Sequence, residues 1–341
     1  MDFANFVKKV KVIKIGDISL GDFPLLLAPM EDVSDPPFRA LCKENGADIV
    51  YTEFISSEGL IRDAAKSIQK LDIYEKERPV GIQIFGANLD SMLRSIEIVE
   101  ASNPDIIDIN FGCPVKKVVS KGAGAGILRD IPLMVNLTAQ MAKHSSLPIT
   151  VKTRLGWDQD SIKIVEVAER LQDAGAKAIS IHGRTRAQMY KGNADWKPIA
   201  AVKNNSRMHI PVFGNGDVNS PEKAMEMRDR YGLDGAMIGR ASIGNPWFFN
   251  QVKHYFKKGT HSEPPTIKDR VEVAKRHLEM SIAWKGTVLG VLETRRHYTN
   301  YFKGIPNFKT YKTALVTLNE PNEVFDTLNL ILEEVKEPAW A

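Results

Sequence analysis

Short apolar runs recur along most of this chain at roughly thirty-residue intervals, and that rhythm constrains the fold more than any other feature. The runs cover residues 25–28, 49–51, 80–85, 106–110, 149–152, 178–182, 211–214 and 235–238. They are too short for helices. Strands buried on both faces, as in a parallel sheet, read as continuous apolar runs of this kind.

Helical patterns with clear punctuation lie between them. Asp35 caps one, with Pro36 in its first turn and Gly46 at its end. A second starts at Asp160 and runs through Ile164, Val167, Ala168 and Leu171 to Gly175. Ser220 caps a third, with Pro221 at the first position, ending near Gly232. Eight strand–helix units fit a (β/α)8 TIM barrel. A doubly wound sheet would show a phosphate fingerprint after its first strand, where Pro29-Met30-Glu31 stands instead. The rhythm stops near residue 250. Residues 259–265 read as a linker, and the segments 267–284, 288–302 and 319–335 have helical patterns only. The expected organisation is an α/β barrel over residues 1–255 and a small all-helical domain over 262–341.

Bulk properties narrow the class. Of 341 residues, 43% are hydrophobic and 26% charged, the balance of a globular domain rather than a disordered chain. The net charge of +4 suits a polyanionic partner or a slightly basic metabolic enzyme equally. Two cysteines, Cys42 and Cys113, cannot make a disulfide framework. Residues 1–9 hold no apolar run of signal-peptide length, and no stretch reaches membrane-span length, so a cytoplasmic protein is expected.

In such a barrel, active sites form at the C-terminal ends of the strands. Reading there gives Pro29 and Met30, Glu53, Gln83, Asn110 and Cys113, Lys152 and Arg154, His182 with Arg184 and Arg186, Asn215-Gly216-Asp217, and Gly239-Arg240. Lys152 and Arg154 share a face by alternation. They imply either an anionic or electron-rich partner or an internal salt bridge with Glu53 or Asp108. Gln83 could serve a ligand or satisfy polar groups inside the barrel. Cys42 reads as a small buried residue on a helix. Cys113 lies in a loop beside the glycine-rich stretch 122–126 and is the candidate reactive group. Glycines after the seventh and eighth strands, with Arg240, suit a phosphate.

The chain resembles the tRNA-dihydrouridine synthases, especially their bacterial B-type branch. The resemblance rests on Ala28-Pro29-Met30 with Asp35-Pro36-Pro37-Phe38-Arg39, Gln83-Ile84-Phe85-Gly86 and Asp108-Ile109-Asn110-Phe111-Gly112-Cys113-Pro114. It continues through Lys116-Lys117, residues 122–126, Val151-Lys152-Thr153-Arg154-Leu155-Gly156, His182-Gly183-Arg184-Thr185-Arg186, Gly214-Asn215-Gly216-Asp217 and Met237-Ile238-Gly239-Arg240. Tyr301-Phe302-Lys303-Gly304 extends it more loosely into the helical part. Many relatives carry Ala-Gly where this chain has Glu31-Asp32.

The resemblance implies a flavin barrel that reduces uridine C5–C6 in tRNA, with FMN as cofactor and NADPH or NADH as reductant. It implies FMN contacts from Pro29, Met30, Gln83, Lys152, His182, Asn215, Gly216, Asp217, Gly239 and Arg240. It assigns Asn110, Arg154, His182 and Arg184 to the substrate, and Cys113, as a protonated thiol in a mobile loop, to the acid. Arg295, Arg296, His297, Lys303 and Lys309 become candidate tRNA grips. A monomer without metal is expected.

Overall fold

The computed structural model describes residues 12–337. Eight parallel strands form the ring: β1 (Leu25–Leu27), β2 (Val50–Tyr51), β3 (Val80–Phe85), β4 (Ile106–Phe111), β5 (Ile149–Arg154), β6 (Ala178–His182), β7 (Val212–Asn215) and β8 (Gly235–Ile238). From β2 to β8 each pairs with the next in chain order, and β8 returns to β1. A parallel bridge between Leu26 and Ile49 closes the ring, with the Leu27 N–H donating to the Ile49 carbonyl at 2.9 Å. A short extra strand, Ile55–Ser56, lengthens the pairing beside β3. All eight expected runs are strands, three with the same bounds and five with ends shifted by one or two residues.

Strand alternation divides the core in two. Ile107, Ile109 and Phe111 of β4, Ile149 and Val151 of β5, and Ile179 and Ile181 of β6 belong to the large cluster that packs under the helices. Ile106, Ala178, Phe213 and Met237 point inward. There they meet Ile13, Ile15 and Leu20 of a small hairpin, Lys14–Ile15 with Ile18–Ser19, which plugs the lower end. The same alternation carries Asp108, Asn110, Lys152, Arg154 and His182 inward, up toward the open end.

The outer helices are α1 (Pro36–Glu44), α2 (Leu89–Ala101), α3 (Ile131–His144), α4 (Ile164–Asp173), α5 (Lys197–Lys203), α6 (Pro221–Asp229) and α7 (Phe248–Lys258). Asp35 caps α1 through the Phe38 N–H at 3.0 Å, and Ser220 caps α6 through that of Lys223 at 3.2 Å. α4 starts later than expected. Reciprocal hydrogen bonds between Asp158 and Ser161, 2.9 and 3.0 Å, close a turn that consumes the residues before it.

Past the left-handed Gly259 (φ 72°), four helices follow: α8 (Ile267–Lys285), α9 (Thr287–Tyr301), α10 (Lys309–Thr317) and α11 (Pro321–Glu334). α10 had no apolar period in the sequence because Leu315 is its single buried residue. The helices enclose a core of their own, including Val271, Leu278, Val291, Tyr298, Val324 and Leu328. They dock on α1. Lys285 is buried between Asp35 at 2.5 Å and Glu293 at 2.6 Å, and Trp284 Nε1–H donates to Asp72 at 2.9 Å.

Two histidines sit in this seam. The rings of His277 and His297 lie 4.5 Å apart and both pack on Phe38. His297 Nδ1 accepts the Gly244 N–H at 3.1 Å and is buried, so it is no RNA grip as the sequence had suggested. Burial depresses His277 to about 4, and burial together with neighbouring His277 holds His297 well below the usual histidine range. The unfolded chain protonates both rings below a pH of about 6.5. Their contribution is therefore complete above that pH and is lost as pH falls toward 4. The unfolding midpoint should drop between pH 7 and pH 4.5, and the drop should be smaller in His277→Gln, measured by thermal melts across that range.

Candidate active site

At the open end of the barrel lies a cavity of about 770 Å³. Parallel register builds its floor. Asn110 stands beside Lys152, Arg154 beside His182, and His182 beside Asn215. Of the residues expected from sequence, Pro29, Met30, Asn110, Cys113, Lys152, Arg154, His182, Asn215, Gly216, Asp217, Gly239 and Arg240 line the cavity.

Gln83 and Arg184 do not. Gln83 is buried behind the wall, where its amide donates to Asp108 at 2.6 Å and accepts from Asn110 at 2.8 Å. Arg184 is buried too, and faces an adjoining cleft. It donates to Asp217 at 2.6 Å, to His182 Nε2 at 3.2 Å and to the carbonyls of Lys191 and Gly192. Both residues hold others in place.

Cys113 is a free, buried thiol on the cavity wall. Burial raises its pKa, although Arg154 and Lys152 pull the other way, so the sulfur stays protonated at neutral pH. The expected mobile loop is instead tied down. Asn110 Oδ1 accepts the N–H groups of Gly112 (3.0 Å) and Cys113 (2.8 Å), and the Cys113 carbonyl accepts from Ala125 at 2.9 Å. With one amide hydrogen committed to Gln83, Asn110 keeps at most one for a ligand.

Lys152 is the unusual cation. It is half-buried and makes no hydrogen bond or ion pair among the described residues. Neither carboxylate that could have neutralised it does so. Asp108 takes Gln83 and Thr150, while Glu53 takes Lys70 at 3.5 Å and the Asp32 N–H at 2.5 Å. Burial lowers Lys152 to about 8, aided by Arg154 and opposed by Asp108. Arg154 directs Nε to the Gly112 carbonyl (2.7 Å) and Nη1 to those of Thr185 and Met189, which leaves Nη2 without a hydrogen-bond partner among the described residues. Burial and the surrounding cations keep His182 neutral, well below the usual range. Since an arginine can only donate, His182 Nε2 accepts and Nδ1 carries the hydrogen.

Across the cavity, Asp217 joins Arg184 and Arg240 (3.1 Å), fixing the loop after β7. Gly216 has φ 114°, and a Cβ there would come within 3.0 Å of the His182 ring, so a side chain is excluded. Glu31, the departure noted in the sequence, also lines the cavity, with its carboxylate held by Lys70 at 2.6 Å. Glu53 behind it is raised to about 7 by burial, against the pull of Lys70. The sequence reading missed Tyr190 and Phe54. Tyr190 is exposed at the mouth near Arg154 and Arg240 (5.7 and 5.4 Å), on a long loop without periodicity.

The structure superposes on histamine dehydrogenase from Rhizobium sp. 4-9 with a TM-score of 0.55 at 13% identity, covering 79% of this chain and 50% of that one. A morphinone reductase variant in complex with tetrahydroNAD gives 0.53 at 9% identity, covering 74% and 92%. At such identities the likeness is one of fold: a barrel of this closed parallel type. The family model for dihydrouridine synthase matches residues 26–337. A probable tRNA-dihydrouridine synthase from Rickettsia bellii is 35% identical over 93% of this chain and 97% of its own length. The tRNA-dihydrouridine synthase B of Pseudomonas putida is 36% identical over 91% of each chain. The chain belongs to the dihydrouridine synthase family.

The Gln83 wall should be sensitive. Gln83→Leu leaves Asp108 and Asn110 each short of a buried partner, a loss of about 2–3 kcal/mol. A urea titration should show the fall in stability.

Proposed function

We propose that this chain reduces the C5–C6 bond of uridine in tRNA to 5,6-dihydrouridine, using FMN and NADPH or NADH, with Cys113 as proton donor. One observation carries the reading. A free protonated thiol and a half-buried ammonium that makes no ion pair or hydrogen bond among the described residues open onto the same cavity. An ammonium so placed favours an anionic or electron-rich ring beside it.

FMN fits these residues. Lys152 would lie at the ring, with Pro29, Met30 and Asn215 around it. Gly216, Gly239 and Arg240, on the loops after β7 and β8, would take the phosphate. Gln83 would act from behind the wall by orienting Asn110, and Asp217 from the cavity lining by holding Arg240. When bound, FMN supplies the hydride, taken from NAD(P)H and delivered to uracil C6.

Negative charge then develops from C5 toward O4. Arg154, with Nη2 free, is the donor placed to stabilise it. Cys113 gives its proton to C5, and the thiolate left behind recovers a proton from solvent. The sum is uridine, NAD(P)H and a proton giving dihydrouridine and NAD(P)⁺. His182 is a neutral member of the same wall, so it adds no cation beside Lys152 and Arg154. Arg184 orients it and meets substrate only indirectly.

The target base must leave its stack to reach the cavity. The helical region, as a domain over residues 262–341 beside a barrel domain over 1–255, would grip the tRNA backbone. Lys303, Lys309 and Arg296 reach the surface, whereas Arg295 is spent on the carbonyls of Thr317 and Leu318. No helix among the described residues is long and apolar enough to cross a membrane. The reading is of a cytoplasmic monomer that needs no metal.

Purified protein should be yellow and release FMN on denaturation, and Lys152→Met should lose most of that flavin. Cys113→Ala should keep its flavin and reduction by NADPH, while dihydrouridine formation falls by a factor on the order of 10² or more. Full product formation by that variant, followed by mass spectrometry of the tRNA, would remove Cys113 from the chemistry.

A further inference from the structure

Two arginines flank a single tryptophan on the rim of the barrel, away from the docked helices. Trp157 follows β5, Arg186 follows β6, and Arg129 ends the helical turn Gly124–Arg129 after β4. The guanidinium carbons lie 4.4 Å (Arg129) and 4.7 Å (Arg186) from the indole centroid. The loops carrying Trp157 and Arg186 are joined in register. Arg186 N–H donates to the Gly156 carbonyl and Ala187 N–H to the Trp157 carbonyl, both at 2.9 Å.

What sets these arginines apart is their lack of counter-charge. Arg62, Arg94, Arg170, Arg207 and Arg230, also at the surface, each pair with a carboxylate. Among the described residues, Arg129 and Arg186 have no ion pair or side-chain hydrogen bond, and Arg186 Nε is buried without an acceptor. Arg129 and Trp157 border a cleft of about 330 Å³ with Lys163, which is likewise unpaired among the described residues, and Arg186 reaches the site from the other side of the indole. Two nearby carboxylates serve local structure, since Asp130 caps α3 and Asp158 closes the turn to Ser161.

Two guanidinium groups brought to one ring repel each other. Each cation–π contact at an exposed site is a weak attraction that offsets only part of this repulsion. An arrangement of this kind is completed by an anion, and forked donors suit a phosphate oxygen pair. Arg154 forms a wall of both this cleft and the catalytic cavity. A group bound in the cleft is therefore next to one bound at Cys113.

We propose that the Arg129–Trp157–Arg186 stack, with Lys163, is a docking site for the RNA strand flanking the reduced uridine, binding its phosphates on the unpaired guanidinium groups. The inference rests on the tRNA reading above and adds a second grip, across the cavity mouth from the helical region. A dinucleotide reductant also carries phosphates. Lys116, Lys117 and Lys121, exposed and unpaired among the described residues, extend the cationic rim along the preceding loop, and that length favours a strand.

The test uses the flavin-loaded protein and unmodified tRNA transcript. In Arg129→Gln/Arg186→Gln, the dissociation constant at about 0.1 M salt should rise on the order of tenfold. The slope of log K against log salt should become shallower by roughly one to two. Lys163→Gln should give a smaller change of the same sign. Flavin content and the rate of flavin reduction at limiting NADPH should match the parent, which also verifies the fold. Unchanged tRNA affinity and slope in both variants would overturn the proposal. Slowed flavin reduction with unchanged tRNA binding would overturn it too, by assigning the cleft to the reductant. A parent protein that neither binds nor modifies tRNA would instead defeat the underlying functional reading.

Discussion

Parallel register inside a closed barrel is the constraint on which the rest depends. Side chains alternate along a strand, and neighbouring parallel strands hold their rows level. Once Ile107, Ile109 and Phe111 are buried under the helices, Asp108 and Asn110 have no choice but to face inward. The same holds for Lys152 and Arg154 on β5 and for His182 on β6. A one-residue slip in any strand would exchange these groups for isoleucine and valine. The hairpin at the lower end fills the interior with apolar side chains, which leaves the polar residues gathered at the open end.

Polar groups gathered in this way must satisfy one another or remain available, and the site does both. One chain of hydrogen bonds runs from Asp108 through Gln83 to Asn110 and on to the backbone of Cys113. It orients the thiol without charging it. A second runs from His182 through Arg184 to Asp217 and Arg240, and fixes the opposite wall. Between them Lys152 and the Nη2 of Arg154 are left unpaired among the described residues, in a region where unpaired charge is costly. That residue of unspent cation is what gives the cavity its preference for an electron-rich ring and for developing negative charge.

The helical region is joined to the barrel through buried polar contacts rather than a flat apolar face. Asp35, which holds Lys285, and Phe38, on which the neutral pair His277 and His297 packs, both lie within a few residues of the loop that carries Met30 and Glu31 to the cavity. Docking of the helices and the shape of the β1 loop are thus set by the same residues.

Much of this was legible along the chain. Buried parallel strands need continuous apolar runs, and loops at their ends tolerate polarity, so strand positions, barrel class and twelve cavity-lining residues could be read without coordinates. What the sequence could not determine is which polar group would spend its hydrogen bonds on which other. The resemblance made Gln83 and Arg184 ligand contacts and His297 an RNA grip, and the residues alone left Gln83 open between a ligand and the barrel interior, because sequence shows a side chain's chemistry but not its partners. The helix α10, with one buried residue, left no period to detect. Trp157, Arg129 and Arg186 come from three separate loops, so only the closed ring brings them together. Local pattern determined the elements, because burial is a property of each segment. Tertiary structure decided the site's free charges, because a charge is free only when every neighbour is already engaged.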